Sequence, residues 1–265
     1  MTAATALPAS FADFGPAQLA AGIVAVYLVV GEPFVGYVLH RRFEGRLRTD
    51  PAARRSFYRR LLVLEWGLAL VVLVVWLAAP GVSAGEVGLV WPTRWPGPFT
   101  WAAVLVLVLL VLLSTRALRG GAVAGPPPEA LRRTRPGEAR HAEPPGHATL
   151  ALLPRSRSER RLFGLVGVTA GVCEEWLYRG FFLAVVAALV PALPVGLLVL
   201  VAGAAFGLAH AYQGLTGVLT TGVLGGVLAA VYLGTGSLLL PVLLHAAIDL
   251  RFLLVPSSAL PAALR

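Results

Sequence analysis

Residues 61–79 read LLVLEWGLALVVLVVWLAA, and residues 101–113 read WAAVLVLVLLVLL. A helix needs about 20 mostly apolar residues to cross the hydrocarbon core of a bilayer. The first satisfies this and the second is the centre of a longer apolar run, with one ionisable side chain between them, Glu65. Extended to their ends they become candidate spans at 61–79 and 99–115, and five more follow from the same reading: 17–39, 162–190, 195–212, 215–234 and 237–255. The fold class expected is all-α, a polytopic membrane helix bundle with about seven transmembrane segments. The segment 162–190 is long for one crossing, so a tilt or a break is expected there.

Composition points the same way. The 265 residues are 57% hydrophobic and 13% charged, where a soluble domain carries about 25% charged residues. That excludes an ordinary soluble domain and a disordered chain. One cysteine, Cys173, rules out an internal disulfide. All 22 basic residues are arginine; eight lie in 41–60, ten in 116–161, and the stretch 80–98 has only Arg94. The positive-inside rule then places both basic loops in the cytoplasm and the N-terminus outside, in a multi-pass protein of the cell membrane. The arginines also suit anionic membrane lipid. Because they alternate with apolar runs, no nucleic acid is expected as a partner. The first 16 residues lack the basic start of a cleavable signal. Residues 120–148, GGAVAGPPPEALRRTRPGEARHAEPPGHA, read as a flexible cytoplasmic linker, with His141 and His147 solvated. The linker divides the chain into N-terminal membrane segments, 1–119, and a second membrane core, 149–265. Trp91 and Trp95 flank Pro92 in an outer loop and suit an interfacial aromatic belt.

Ionisable groups in a bilayer are costly and point to function. The first half offers Glu32, with no assigned role, and Glu65, read as structural or interfacial; neither has a partner in its own segment. The second half concentrates Glu174, Glu175, Arg179, His210, His245 and Asp249 in apolar segments. Glu175 and Arg179 are four apart and share a helix face, as do His245 and Asp249. Glu174 points about 100° away from Glu175. Asp249 can orient the His245 ring or line a site with it. Gly203, Gly207 and His210 recur at i, i+4, i+7, and Gly222 and Gly226 repeat the spacing, which favours close helix approach. Counting 1.5 Å per residue puts Glu174 and His245 near mid-membrane and His210 near the cytoplasmic end. The three meet only if helices tilt or the boundaries move.

Three chemistries fit these groups. A desolvated glutamate can act as general base on water, with histidines polarising the water and stabilising an oxyanion. Glu174, His210 and His245 can supply three ligands to a divalent metal such as zinc, although the H-E-x-x-H signature is absent. A proton or ion path is the third, but the internal repeats of a transporter are not seen. Cys173 beside Glu174 reads as a small apolar residue rather than a nucleophile.

Three motifs carry a family resemblance. They are Glu174-Glu175-Trp-Leu-Tyr-Arg179, Phe206-Gly-Leu-Ala-His210 and His245-Ala-Ala-Ile-Asp249, in that order and in successive apolar segments. Over roughly 160–255 the chain resembles the CAAX-protease and bacteriocin-processing (Abi) family of intramembrane proteases. Its members include enzymes that remove the three residues after a prenylated cysteine. The resemblance implies an endopeptidase acting on a peptide or membrane-protein substrate. It implies that Glu174 activates water with His210, and that His245 and residue 249 form the oxyanion site. Glu175, Arg179 and Phe206 would support them. The family has been described both as metalloproteases and as metal-independent glutamate proteases. Some members have Asn at the position of Asp249, and an ionised carboxylate cannot donate to an oxyanion. A catalytically silent binding or immunity-type protein with the same fold is the alternative.

Overall fold

The computed structural model describes residues 7–47, 49–92, 95, 97–119, 151–256 and 260. The expected linker 120–148, with its two histidines, and Arg94 lie outside the described residues. The described residues build seven helices and no strand. Helix α1 spans 18–46 and follows a 3-10 segment, Phe11–Ala17. Then come α2 (Ala53–Leu77), α3 (Pro98–Arg119), α4 (157–189), α5 (Val195–Ala209), α6 (Gly214–Thr235) and α7 (Leu239–Leu250). A 3-10 turn, Arg251–Leu254, closes α7.

Among the described residues, three helical stretches are long and apolar enough to cross a membrane: Phe11–Arg46, Ala53–Leu77 and Ala211–Thr235. Two shorter apolar ones are Thr100–Arg116 and Val195–Ala209. The long fourth segment is one continuous helix, not two. Its turn Trp176–Phe182 is wound as a π-helix, a device common at functional sites. A second π-helical turn, Tyr27–Gly31, interrupts α1 just before Glu32-Pro33, where proline removes a backbone donor. The last expected span, 237–255, is only 12 residues of α-helix before the 3-10 turn. On the outer surface Val63, Val74 and Leu113 are more than half exposed, as side chains facing lipid tails are.

The helices alternate in direction. At one end Phe43 of α1 stacks on Phe57 of α2, with ring centres 4.5 Å apart. There Arg54 donates to the Ala151 carbonyl at 3.0 Å, and Arg160 donates to the Leu253 carbonyl. At the other end Phe14 meets Phe181 edge-on, and Ser237 donates to the Val90 carbonyl at 2.6 Å. The arginine-bearing residues 41–60 and 155–161 thus share one end. The largest buried cluster joins α1, α2, α4, α5 and α6, so helices from both halves of the chain build one core.

Two close helix contacts set the register of the site. A Cβ at Gly203 would stand 2.7 Å from the Gly222 carbonyl oxygen, and one at Gly207 2.5 Å from that of Val218. Backbone therefore touches backbone between α5 and α6, as the small-residue spacing predicts. A Cβ at Gly171 would stand 2.9 Å from the Ala246 nitrogen, and one at Gly167 3.2 Å from Asp249 Cβ. This second contact draws α7 onto α4.

Candidate active site

Glu174 and Glu175 end the α-helical part of α4, and Arg179 lies in the π-turn that follows. Arg179 is fully buried. It donates to Glu175 Oε1 at 3.0 Å and to the Gly225 carbonyl at 3.0 Å, and its guanidinium lies 4.3 Å from the Phe206 ring centre. The Glu175–Arg179 pair expected from spacing is therefore present.

Glu175 has a second task that spacing does not reveal. His245 Nδ1 lies 2.7 Å from the same Glu175 Oε1. A carboxylate oxygen that accepts from arginine accepts here too, so Nδ1 carries the proton and Nε2 points onward. His245 Nε2 stands 3.9 Å from Glu174 Oε2 and 3.9 Å from Asp249 Oδ2. Glu175 thus orients the ring, and Asp249 lines the space in front of it.

His210 caps the C-terminus of α5. Its Nδ1 lies 2.9 Å from the Phe206 carbonyl, which can only accept, so Nδ1 donates and Nε2 is left as an acceptor. Phe206 packs between the two imidazoles, 4.7 Å from His210 and 5.7 Å from His245 centre to centre. At 15 residues α5 rises about 22 Å, shorter than the ~30 Å hydrocarbon core, and His210 stands at its end. The reversal there rests on α1, with Tyr212 and His40 rings 4.8 Å apart.

Glu174, His210, His245 and Asp249 all line one cavity of about 790 Å³, and Phe206 contributes to its wall. Glu175 and Arg179 stand behind it. Cys173 is fully buried and lies outside the lining. Among the described residues no three His, Cys, Asp or Glu side chains converge as a metal-ligand set. Glu174, His210 and His245 do not form such a set.

The cavity also holds two carboxyls from the first half of the chain, Glu32 and Glu65. Glu32 and Tyr27, at either end of the π-turn of α1, line it together with Glu174 and His210. Glu65 lines the same cavity as Glu174, and the Oε2 atoms of both are buried without a hydrogen-bond partner. Sequence reading gave these two no site role, because nothing in their own helices pairs with them. The only signal was their cost in an apolar segment.

No curated protein and no solved structure matches the chain. Residues 158–251 match the family model described as type II CAAX prenyl endopeptidase Rce1-like, and the matched stretch contains all three motifs.

Proposed function

We propose that the protein is an intramembrane endopeptidase that hydrolyses a peptide bond in a membrane-associated peptide or protein. The observation that supports this best is the convergence of Glu174, His210, His245 and Asp249, from three separate helical elements, on one cavity. Val63 and Val71 of α2 and Leu110 of α3 line that cavity and are also exposed on the outer surface. The site therefore opens toward lipid between α2 and α3, a route suited to a substrate with an apolar anchor. A prenylated C-terminal peptide, the substrate named for the matching family, is the first to try.

Glu174 takes a proton from water while His210 Nε2 accepts a hydrogen bond from the same water. The water oxygen attacks the scissile carbonyl carbon. His245, doubly protonated and held through Nδ1 by Glu175, donates from Nε2 to the developing oxyanion. Asp249 supplies negative charge near the imidazolium and does not donate. The tetrahedral intermediate then expels the amine, which takes the proton that Glu174 received. The arginine-rich end faces the cytoplasm in this reading.

The test is peptidase turnover by purified protein in proteoliposomes on a farnesylated, fluorescence-quenched peptide. Glu174→Gln and His210→Ala are each expected to lower kcat by about 10²–10⁴-fold, the usual worth of general acid–base catalysis. Cleavage that persists in both variants overturns the assignment. A wild type that binds membrane partners but cleaves nothing favours the silent, binding reading.

A further inference from the structure

Helices α3 and α7 are neighbours, with Leu107 of one and Ile248 of the other in one buried cluster. Between their last turns lies a groove of about 680 Å³. It sits at the arginine-rich end, where Arg160 donates to the Leu253 carbonyl. Leu112, Thr115 and Arg116 of α3 line one side; Leu250, Arg251 and Leu254, from the end of α7 and its closing turn, line the other. Each set is spaced by one helical turn and so shares a face. Leu112 and Leu254 are more than half exposed, as side chains facing lipid tails are.

Three polar groups interrupt that apolar surface. Arg116 is exposed on the last turn of α3. Thr115 Oγ1 and Arg251 Nε are buried and have no hydrogen-bond partner. Arg251 donates to the Ile248 carbonyl, and its guanidinium lies 4.3 Å from the Phe252 ring centre. Those contacts hold the guanidinium in place and leave its charge unbalanced. Asp249, the acid nearest in the chain, stands 3.9 Å from His245 Nε2. Among the described residues no carboxylate lines the groove. Arginine keeps its proton, and a charge at the edge of a bilayer is costly without a counter-ion. Two guanidiniums and an orphan hydroxyl therefore call for an anion from outside the chain, and the leucines beside them for an apolar tail.

We propose that this groove binds an anionic phospholipid, its phosphate held by Arg116, Arg251 and Thr115 Oγ1 and its acyl chains lying along Leu112 and Leu254. Basic pockets between membrane helices take lipid headgroups, and the forked donors of arginine suit a phosphate. Val111 and Arg251 line both this groove and the candidate active-site cavity, so the bound lipid braces the wall between them. The lipid site stands whether or not the protein is a peptidase.

The test uses the full chain, purified and delipidated in neutral detergent, with no substrate. Phosphatidylglycerol is expected to raise the thermal midpoint by about 5 °C, since a ligand of the folded state stabilises it. Phosphatidylcholine and inorganic phosphate should raise it far less. Arg116→Gln changes an exposed side chain, should fold as wild type does, and should lose at least about half of the rise. Arg41→Gln, exposed at the same end but outside the groove, should keep it. Native mass spectrometry should find one phosphatidylglycerol retained by wild type and released by Arg116→Gln and Arg251→Gln. If Arg251→Gln does not fold, Arg116→Gln decides. An equal rise with phosphatidylcholine means an apolar crevice, and an equal rise with inorganic phosphate means a free-anion site. An equal loss in Arg41→Gln means diffuse surface charge. Each of these overturns the proposal, as does a wild type that phosphatidylglycerol leaves unchanged or an Arg116→Gln that keeps the full rise.

Discussion

At the scale of single residues, Glu175 has the most demanding position. One oxygen serves both Arg179 and His245, and the whole group is shut away from solvent. Breaking a buried ion pair strands the remaining charge, at a cost of about 3–5 kcal/mol. Arg179→Ala should therefore unfold well below wild type in detergent, read as a drop in thermal midpoint. Asp249 is the contrasting case. It stands 3.9 Å from His245 Nε2 and its side chain is about a third exposed to the cavity. Asp249→Asn should keep the fold and stay within about tenfold of wild-type turnover. His245→Ala removes the proposed oxyanion donor and should cost about 10²–10³-fold. Both follow from kcat on the same peptide.

At the scale of helices, two features decide where side chains arrive. The first is the polar start of α4. Ser156 accepts from the Glu159 amide at 3.2 Å, and Glu159 Oε2 accepts from the Ser156 amide at 3.0 Å. That capping box begins α4 at Arg157, five residues before the apolar count expects. The motif Ser156-x-x-Glu159 was visible in the sequence, but hydropathy alone does not see a helix turn made of polar residues. The second feature is the glycine contact of α5 with α6. Gly207→Leu would drive a side chain into the Val218 carbonyl and should leave little folded protein by size-exclusion in detergent. A Cβ at Gly196, near the start of α5, would meet no atom within 4 Å. Gly196→Ala should therefore be neutral or stabilising by up to about 1 kcal/mol, read from the same thermal midpoint.

At the scale of the whole molecule, the two halves of the chain form one bundle around one cavity. The described arginine-rich segments lie together at one end, which the positive-inside rule assigns to the cytoplasm. This predicts the outcome of cysteine labelling in intact cells. The native Cys173 is buried and silent. A Thr49→Cys variant, at the arginine-rich end, should resist a membrane-impermeant maleimide until the cells are lysed. Ser83→Cys, at the opposite end, should label at once. The reverse pattern would invert the topology. Trp91 and Trp95, expected to form an interfacial belt, are both exposed.

The sequence by itself determined the helices, their number and order, and the pairs that helical periodicity brings together. These depend on local rules: how many apolar residues cross a bilayer, and which side chains lie three or four apart. Glu175 with Arg179, and the glycine ladders of α5 and α6, were legible for that reason. Tertiary structure alone decided that Glu175 holds His245, that His210 lines the same cavity as Glu174, and that Glu32 and Glu65 enter that cavity. Those contacts depend on how each helix is rotated and slid against its neighbours. Rotation and offset are set by backbone approaches such as Gly171 against α7, and a linear sequence carries no record of which partner a glycine will meet.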